Sequence, residues 1–418
     1  MKRILIIAYD CNPQKGAEAM MAYNWVTSLA KNYIVKVITD IRHKDCLDAK
    51  GVSFEVEYVT YTSEKTYSLL AKVHAYNILY KLFIKSYKKK LSLSEIDTYD
   101  LIHCLTPAGY FTYNDLYKLN KPLVVGPLGG GIKLPKGFCR YKTFQYLLRN
   151  IYYSCIRHNP KWKKYYNNCS KILIGTRYLL EHLPKSVHSK TVEFFDTVVD
   201  INKYSPCYQR KNETINILFS GRMELSKGCL LLLEAFKLLM QEAEVPLRLI
   251  MLGEGSQLPR IKKIIKKANL DQYIKLPGFV SSEDVKEYLQ NSDIYCLPTL
   301  REPGGTSILE ALACGIPVIT TDYGGPSISV TEECGIKIDA QNYNKYVLKL
   351  KQAIKYLIDN PEERRRLGQN GRMRAVAEYS HEKLEEKISN FYKSMFEEIV
   401  LQKVSVFAGK ATGRRFEQ

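Results

Sequence analysis

The sequence lacks several features that would place it in a familiar class of proteins. Its eleven cysteines are odd in number and form no C-x-x-C pair, which argues against a disulfide framework or zinc site and favours reduced thiols in the cytoplasm. No apolar run approaches the roughly 18 residues of a membrane span. The apolar start, MKRILIIAYDCNP, is too short for a signal peptide and predicts a first buried strand.

Acidic residues are missing from one long segment, since no Asp or Glu occurs between Leu116 and Leu180. Lysine and arginine occur throughout it, aromatic residues are interleaved from 138 to 166, and the whole chain has a net charge of +19. This composition suits an anionic membrane surface or RNA, but no nucleic-acid motif accompanies it. We therefore expect membrane or lipid-linked acceptor contact and no nucleic acid, with a solvated basic face as the simpler alternative.

The most informative stretch runs from Arg301 to Val330. A turn-rich loop is followed by TSILEALAC, whose apolar residues fall on one helical face, and Gly315 ends this helix. PVITT then has the β-branched composition of a buried parallel strand. A Gly-rich loop, a helix and a strand in this order predict part of an α/β nucleotide-binding unit.

The loop residues indicate an anion site. Gly304 and Gly305 allow the backbone to approach a ligand closely. Thr306 and Ser307 open the helix, so their N–H groups lack helical acceptors and suit a phosphate.

Two glutamates flank this anion site. Glu302 precedes the helix and Glu310 lies about a turn and a half into it, too far along to touch the same group. A long ligand with separated hydroxyls, such as a nucleotide-sugar, could engage both.

Two further glycine loops follow strand-like segments. After INILFS, the loop that begins at Gly221 holds Arg222 and Lys227, and two bases so spaced can clamp a diphosphate from both sides. After PLVVGPL, Gly129 and Gly130 belong to a run of three glycines that suggests close backbone approach to a ligand or acceptor.

These motifs together resemble the retaining glycosyltransferases of family 4, also called glycosyl transferases group 1. The resemblance rests on Glu302-x7-Glu310, the following A-x-x-x-G-x-P-V, and G-R-x-x-x-x-K-G from Gly221 to Gly228. It covers nearly the whole chain but is specific only in residues 215–330. It implies that Glu302 contacts the transferred sugar, Glu310 binds the ribose, and Arg222 and Lys227 neutralise the leaving diphosphate.

The resemblance also implies roles for residues whose types alone are weak evidence. Gly16 corresponds to the remnant of a double-glycine loop that faces the cleft, and Val280 lies in the loop that holds the base. His103 corresponds to a polar cleft residue, although it could equally be a satisfied buried histidine. Many family members have a histidine where this chain has Leu128–Gly129, which leaves open the group that aligns sugar and acceptor.

The implied fold is α/β, of the GT-B type, with two Rossmann-like domains facing across a cleft. Residues 1–205 would form the acceptor domain and residues 213–385 the donor domain. Residues 386–418 would form a helix that crosses back to the first domain and a loose tail from about Ser405. The polar residues 207–214 read as the linker between the domains.

The implied reaction is transfer of a sugar from a UDP- or GDP-linked donor to an acceptor hydroxyl, with retention of configuration. The sequence has no D-x-D motif, and the two bases would do the work of a metal, so we expect no cofactor. The implied setting is bacterial cell-surface polysaccharide or glycolipid synthesis, in the cytoplasm or peripherally on the inner face of the membrane.

Three other functions remain open at this stage. The same fold could carry a nucleotide-sugar epimerase or hydrolase. The chain could be a catalytically inactive partner that docks on membranes through residues 66–93 and 138–166. An RNA-binding protein is suggested by charge alone.

Overall fold

The frame of the molecule is two separate parallel β-sheets, seen in a computed structural model that describes residues 1–72, 75–141, 143–207 and 214–413. The first sheet has seven strands in the order β3-β2-β1-β4-β5-β6-β7. The strands are β1 Arg3–Ala8, β2 Ile34–Asp40, β3 Glu55–Val59, β4 Leu101–Thr106, β5 Leu123–Leu128, β6 Lys171–Ile174 and β7 Thr191–Glu193. The central strands are apolar and buried on both faces, as parallel strands covered by helices require.

Helices cover both faces of the first sheet. Trp25 and Val26 of the first helix pack on one face with Ile4 and Ile6, while Leu79 and Phe83 of the fourth pack on the other. The helices are α1 Gly16–Ala30, α2 Lys44–Ala49, α3 Glu64–Lys72, α4 Tyr76–Lys88, α5 Leu93–Asp97, α6 Phe144–His158 and α7 Pro160–Asn167.

The second sheet has six parallel strands in the order β10-β9-β8-β11-β12-β13. They are β8 Ile215–Ser220, β9 Leu247–Leu252, β10 Ile274–Gly278, β11 Ile294–Leu297, β12 Val318–Thr321 and β13 Gly335–Ile338. The helices of this half are α8 Cys229–Leu239, α9 Leu258–Lys267, α10 Ser282–Gln290, α11 Thr306–Ala313, α12 Pro326–Ser329, α13 Tyr343–Asp359 and α14 Pro361–Tyr379. The helix and strand predicted within Arg301–Val330 are confirmed as α11 and β12.

The strand order of each sheet reverses at one point, and ligands of such sheets bind outside the carboxyl ends of the strands there. The reversal lies between β1 and β4 in the first sheet and between β8 and β11 in the second. The loops that leave β8 and β11 hold the charged and glycine-rich residues of the second domain singled out above, whereas Gly129 and Gly130 follow β5, the neighbour of β4. The α/β doubly wound prediction is therefore confirmed for both halves.

A last helix, α15 His381–Gly413, returns to the first domain. Leu384, Ile388, Tyr392 and Met395 pack in the same cluster as Trp25 of α1. The prediction of a loose tail from Ser405 is wrong as far as Gly413, because this segment continues the helix without an interior proline. Residues 414–418 lie outside the described residues, as do residues 208–213 of the predicted linker.

Residues 66–93, named above as a possible membrane-docking segment, include most of α3 and all of α4, and residues 73 and 74 between these helices lie outside the described part. In the described chain we find no helix whose length and hydropathy would let it cross a membrane.

One segment of the first domain reaches across to the second. Phe138 is fully buried, and its ring centroid lies 5.5 Å from that of Tyr346 and 6.0 Å from that of Tyr343, both on α13. Tyr141 and Tyr146 belong to the same core cluster of the second domain. This aromatic latch, residues 136–141, joins the two halves beside the cleft.

Candidate active site

A cavity of about 950 Å³ lies between the two domains. Gly16, Gly129 and Gly130 line it from the first domain, as predicted for cleft residues. From the second domain its lining residues include Glu302, Gly304, Gly305 and Thr306. The structure therefore brings most of the glycine-loop residues to one space.

The loop before α11 is built for a ligand. Gly305 has a φ of 86°, a left-handed conformation that glycine adopts without strain, and it caps the helix without a side-chain hydrogen bond. Within the described residues the backbone N–H groups of Thr306 and Ser307 donate to no protein acceptor, whereas Ile308 N–H donates to Gly305 at 2.9 Å. Two free donors at a helix N-terminus form the anion site that the sequence predicts.

The predicted sugar and diphosphate residues are joined by an ion pair. Lys227 Nζ contacts Glu302 Oε2, with the lysine side chain 20% and the glutamate side chain 12% exposed. The two loops are fixed to each other by Leu300 N–H, which donates to Ser226 at 2.8 Å. Gly228 completes the turn, since a Cβ there would lie 2.0 Å from the Pro298 carbonyl oxygen.

Arg222 lies on the same loop as Lys227 but is exposed and outside the lining of the cavity. Its loop rests on the turn after β9, where a Cβ on Gly253 would lie 2.2 Å from the Gly221 carbonyl oxygen. Gly253 therefore lets the two loops approach each other, whereas a Cβ on Gly221 would meet side-chain atoms no closer than 3.9 Å.

Glu310 is held beneath the loop and away from the cavity lining. Burial raises the pKa of its carboxyl, while a hydrogen bond from Tyr204 and the charge of Lys203 act in the opposite direction. Tyr204 and Lys203 come from the connection between the domains, so this glutamate touches residues that the sequence did not assign to it. Ser307 bonds the buried Tyr295, so its side chain is already engaged and its backbone N–H is the group left for a ligand.

The loop after β10, which was predicted to hold the nucleotide base, exposes the side chain of Phe279 and not that of Val280. Val280 packs against the core of the second domain, so a ligand would meet its backbone. The neighbouring Phe279 is 81% exposed. An exposed aromatic ring offers a surface on which a base can stack. In the sequence, the aromatic residue directly after Gly278 was the available indication of this surface.

The first domain contributes three acidic residues to the cavity lining that the sequence analysis did not predict. Asp10, Glu18 and Asp196 all line the cavity. Enclosure by protein raises the pKa of Glu18 to about 7, against a hydrogen bond from Ala108 N–H to its Oε1 at 2.6 Å. Burial likewise raises the pKa of Asp196 to about 6.

His103 does not reach the cleft, and its predicted acceptor role is wrong. It is fully buried on β4, where Nε2 donates to the Gly126 carbonyl at 2.6 Å and Nδ1 accepts from Tyr392. Trp25 Nε1 in turn donates to Tyr392 at 3.3 Å. Burial lowers the pKa of His103 to about 4, so it is a neutral core residue.

This chain has Leu128–Gly129 where many members of the family it resembles have a histidine, so backbone groups occupy this position. Leu128 is buried, and Gly129 N–H donates to the Ala108 carbonyl at 2.7 Å, which joins the loops after β4 and β5. Pro107, Ala108 and Gly109 line the cavity at this point.

Most aromatic residues of the basic segment point inward, whereas their number in the sequence had suggested that they face a membrane. Phe138, Tyr141, Tyr146, Trp162, Tyr165 and Tyr166 are buried, whereas Phe144 lies among residues whose side chains are not described. Tyr152 of this set is exposed, together with other apolar residues. Those of α3, α4 and α6, which we call the outer apolar patch, are Leu69, Tyr76, Ile78, Leu147, Leu148, Ile151 and Tyr152.

The outer apolar patch is continuous with the cleft. Tyr76 and Asn77 line the cavity, and Asn77 hydrogen-bonds to Tyr152 of α6. Lys72, Lys81 and Lys85 are exposed on the same helices α3 and α4.

Comparison with known proteins identifies relatives for the second domain. Residues 200–374 match the family model described as glycosyl transferases group 1. A D-inositol 3-phosphate glycosyltransferase of Pseudarthrobacter chlorophenolicus is 28% identical over 42% of this chain and 44% of its own length. A 2-deoxystreptamine N-acetyl-D-glucosaminyltransferase of Niallia circulans is 33% identical over 29% of this chain and 32% of its own. The match thus spans less than half the length of either relative.

Solved structures match over almost the entire chain. Sucrose-phosphate synthase of Thermosynechococcus elongatus superposes with a TM-score of 0.64 at 18% identity, over 95% of this chain and all of that one. HepE of Anabaena, solved with UDP, superposes with a TM-score of 0.62 at 17% identity, over 94% of this chain and all of that one. The fold is therefore GT-B, as predicted.

Proposed function

We propose that this chain, whose residues 200–374 match the glycosyl transferases group 1 family, is a retaining glycosyltransferase that moves a sugar from a nucleotide diphosphate to an acceptor hydroxyl. The observation that carries the proposal is the Lys227–Glu302 ion pair at the mouth of the α11 anion site. It joins Lys227, which would bind the diphosphate, to Glu302, which would bind the sugar on the other side of the bond that breaks.

In this proposal the donor replaces the internal ion pair with two interactions of its own. The leaving diphosphate binds Lys227, Arg222 and the free N–H groups of Thr306 and Ser307, which supply positive potential where negative charge develops. Glu302 is released to hold the sugar hydroxyls and to stabilise its growing positive charge. Each partner thus exchanges one charged contact for another, which limits the cost of binding.

The bond that breaks joins the anomeric carbon to the diphosphate, and the new bond joins that carbon to the acceptor oxygen on the same face. The leaving phosphate takes the acceptor proton, so no protein base is required. We propose that the donor is UDP- or GDP-linked and that Lys227 and Arg222 make a divalent metal unnecessary.

Glu310→Ala is expected to weaken nucleotide binding by about 10- to 100-fold, the equivalent of one hydrogen bond to a charged group. In the proposed function its carboxylate exchanges Tyr204 for the ribose hydroxyls. Calorimetric titration with UDP, GDP and ADP measures the change, and Glu287→Ala, an exposed glutamate on α10, is the matched control. Equal affinities of the two variants for every nucleotide would remove the ribose role.

The proposed setting is synthesis of a cell-surface polysaccharide or glycolipid, in the cytoplasm with peripheral contact to an anionic membrane. The outer apolar patch supports it, since apolar residues beside lysines on amphipathic helices suit the interface of such a membrane. Because this patch continues into the cleft, a lipid-carried acceptor could reach the acceptor side without leaving the surface.

Ile151→Ser is expected to reduce binding to anionic vesicles by roughly tenfold or more. The Ile151 side chain is 62% exposed, and its transfer into the lipid would stabilise the bound state by about 2 kcal/mol. Flotation with phosphatidylglycerol vesicles measures it. Leu348→Ser, which removes a 52% exposed leucine from α13 of the second domain, is the control. If both variants float like the wild type, the outer apolar patch does not bind membrane.

A further inference from the structure

Three arginines meet where the first domain touches the loop that carries Glu302. Arg149 and Arg157 are on the inward side of α6, and Arg301 directly precedes Glu302 in the second domain. The guanidinium carbons of Arg149 and Arg301 lie 5.5 and 5.7 Å from the centroid of the same ring, that of Tyr146. The three charges thus converge from both domains on one cluster of tyrosines.

Tyr110 marks the centre of this arginine cluster. Burial raises the pKa of its phenol to about 12, while the positive charges of Arg157, Arg149 and Arg301 all act to lower it. Tyr153 lies beside it, 5.4 Å between ring centroids, and stacks on Phe111 of the cavity lining at 4.9 Å. The arginine cluster therefore adjoins the cleft.

None of the three arginines forms an ion pair with a carboxylate among the residues that the structure describes. The Nε atoms of Arg149 and Arg157 are buried without a hydrogen-bond partner. Arg157 donates one hydrogen bond, to His182 Nδ1 at 3.1 Å, and because Nδ1 accepts this bond the imidazole is neutral. Its Nε2 donates to the Gly131 carbonyl at 2.6 Å.

The carboxylates that adjoin this cluster in sequence, Glu181 beside His182 and Glu302 beside Arg301, are already engaged. Glu181 pairs with Lys133 at 2.9 Å, and Glu302 pairs with Lys227. Charged donors that are buried without a partner are costly, and planar guanidinium groups match the oxygens of phosphate in pairs. The arrangement is that of a binding site for an anion.

We propose that Arg149, Arg157 and Arg301 bind a phosphate or diphosphate group of the acceptor, separate from the diphosphate of the donor. The opposite face of α6 carries Leu147, Leu148 and Ile151 of the outer apolar patch. One helix thus offers a phosphate site on its inner face and an apolar surface on its outer face, the two chemistries of a lipid phosphate. Naming the anion an acceptor group rests on the proposed function, whereas the anion site itself does not.

The test is calorimetric titration with inorganic pyrophosphate. Arg149→Gln and Arg301→Gln should each weaken a pyrophosphate site at least tenfold, whereas Lys163→Gln, an exposed lysine on α7, should leave it unchanged. Lys227→Ala separates the two anion sites, because it should weaken the donor site and spare this one. A polyprenyl diphosphate in detergent micelles and a soluble sugar 1-phosphate then distinguish a lipid source from a free one.

Three outcomes would overturn the proposal. If Arg149→Gln and Arg301→Gln bind pyrophosphate as Lys163→Gln does, there is no anion site here. If they lower the unfolding temperature by circular dichroism while the affinity stays the same, the arginines only fasten the domains through the tyrosine rings. If Lys227→Ala loses pyrophosphate binding and the arginine variants keep it, the anion binds at the donor site and not at the arginine cluster. If the arginine variants lose binding and Lys227→Ala keeps it, the arginine cluster is an anion site and the result counts against the proposed function.

Discussion

Lys227→Ala should lower the turnover of donor cleavage by about 30- to 1,000-fold, equivalent to about 2–4 kcal/mol of transition-state stabilisation. The substitution removes the cation that faces the leaving diphosphate and leaves the partly buried Glu302 without its partner. Both effects act where charge separates in the reaction. Steady-state cleavage of a nucleotide-sugar, at saturating donor, measures the change.

Lys237→Ala is the matched control for this variant, because Lys237 is an exposed lysine in the last turn of α8, the helix that follows the Lys227 loop. It should cleave the donor like the wild type. Wild-type turnover in Lys227→Ala would remove the assignment of this loop to the diphosphate.

Phe138→Ala should destabilise the protein by about 3–5 kcal/mol, the usual cost of truncating a fully buried phenylalanine. The ring joins a segment of the first domain to Tyr343 and Tyr346 of the second, so its loss leaves a cavity at the junction of the domains. Urea unfolding followed by tyrosine fluorescence measures the stability.

Phe279→Ala makes the same chemical change at a residue that is 81% exposed. It should alter the free energy of unfolding by no more than about 0.5 kcal/mol, as surface substitutions usually do. Equal loss of stability in the two variants would show that the aromatic latch contributes nothing of its own.

The part of the cavity lining that comes from the second domain could be predicted from sequence because its residues lie in short loops. Gly304, Gly305, Thr306 and Glu302 are nearly consecutive, and one loop and one helix start place them. The Gly221–Gly228 loop follows the same logic. What could not be predicted is the contact between the two loops, the Lys227–Glu302 pair, because 75 residues separate its partners.

The first-domain side of the cleft could not be predicted because its geometry depends on contacts between distant segments. His103 lies within β4, and its ring contacts Tyr392, which is 289 residues away on α15. Glu18 and Asp196 reach the cleft from opposite ends of the first domain, and neither has a sequence pattern that marks it.

The basic aromatic segment shows the limit of composition. Its aromatic residues were interpreted as a membrane-facing set, but Phe138 and Tyr141 fill the core of the second domain and Trp162 and Tyr166 that of the first. Composition cannot tell an inward ring from an outward one. The outward residues are aliphatic, such as Leu148 and Ile151, and the helical spacing of α6 was the available indication of them.

The most direct measurement is the slow hydrolysis of a panel of UDP-, GDP- and ADP-sugars in the absence of acceptor, by the wild type and by Lys227→Ala. The proposed function predicts that the wild type cleaves one donor selectively and that the variant cleaves it at least 30-fold more slowly. Such a result would identify the base and the sugar together. The absence of cleavage and of binding for every donor would contradict it and favour a catalytically inactive partner that acts through its basic and apolar surface.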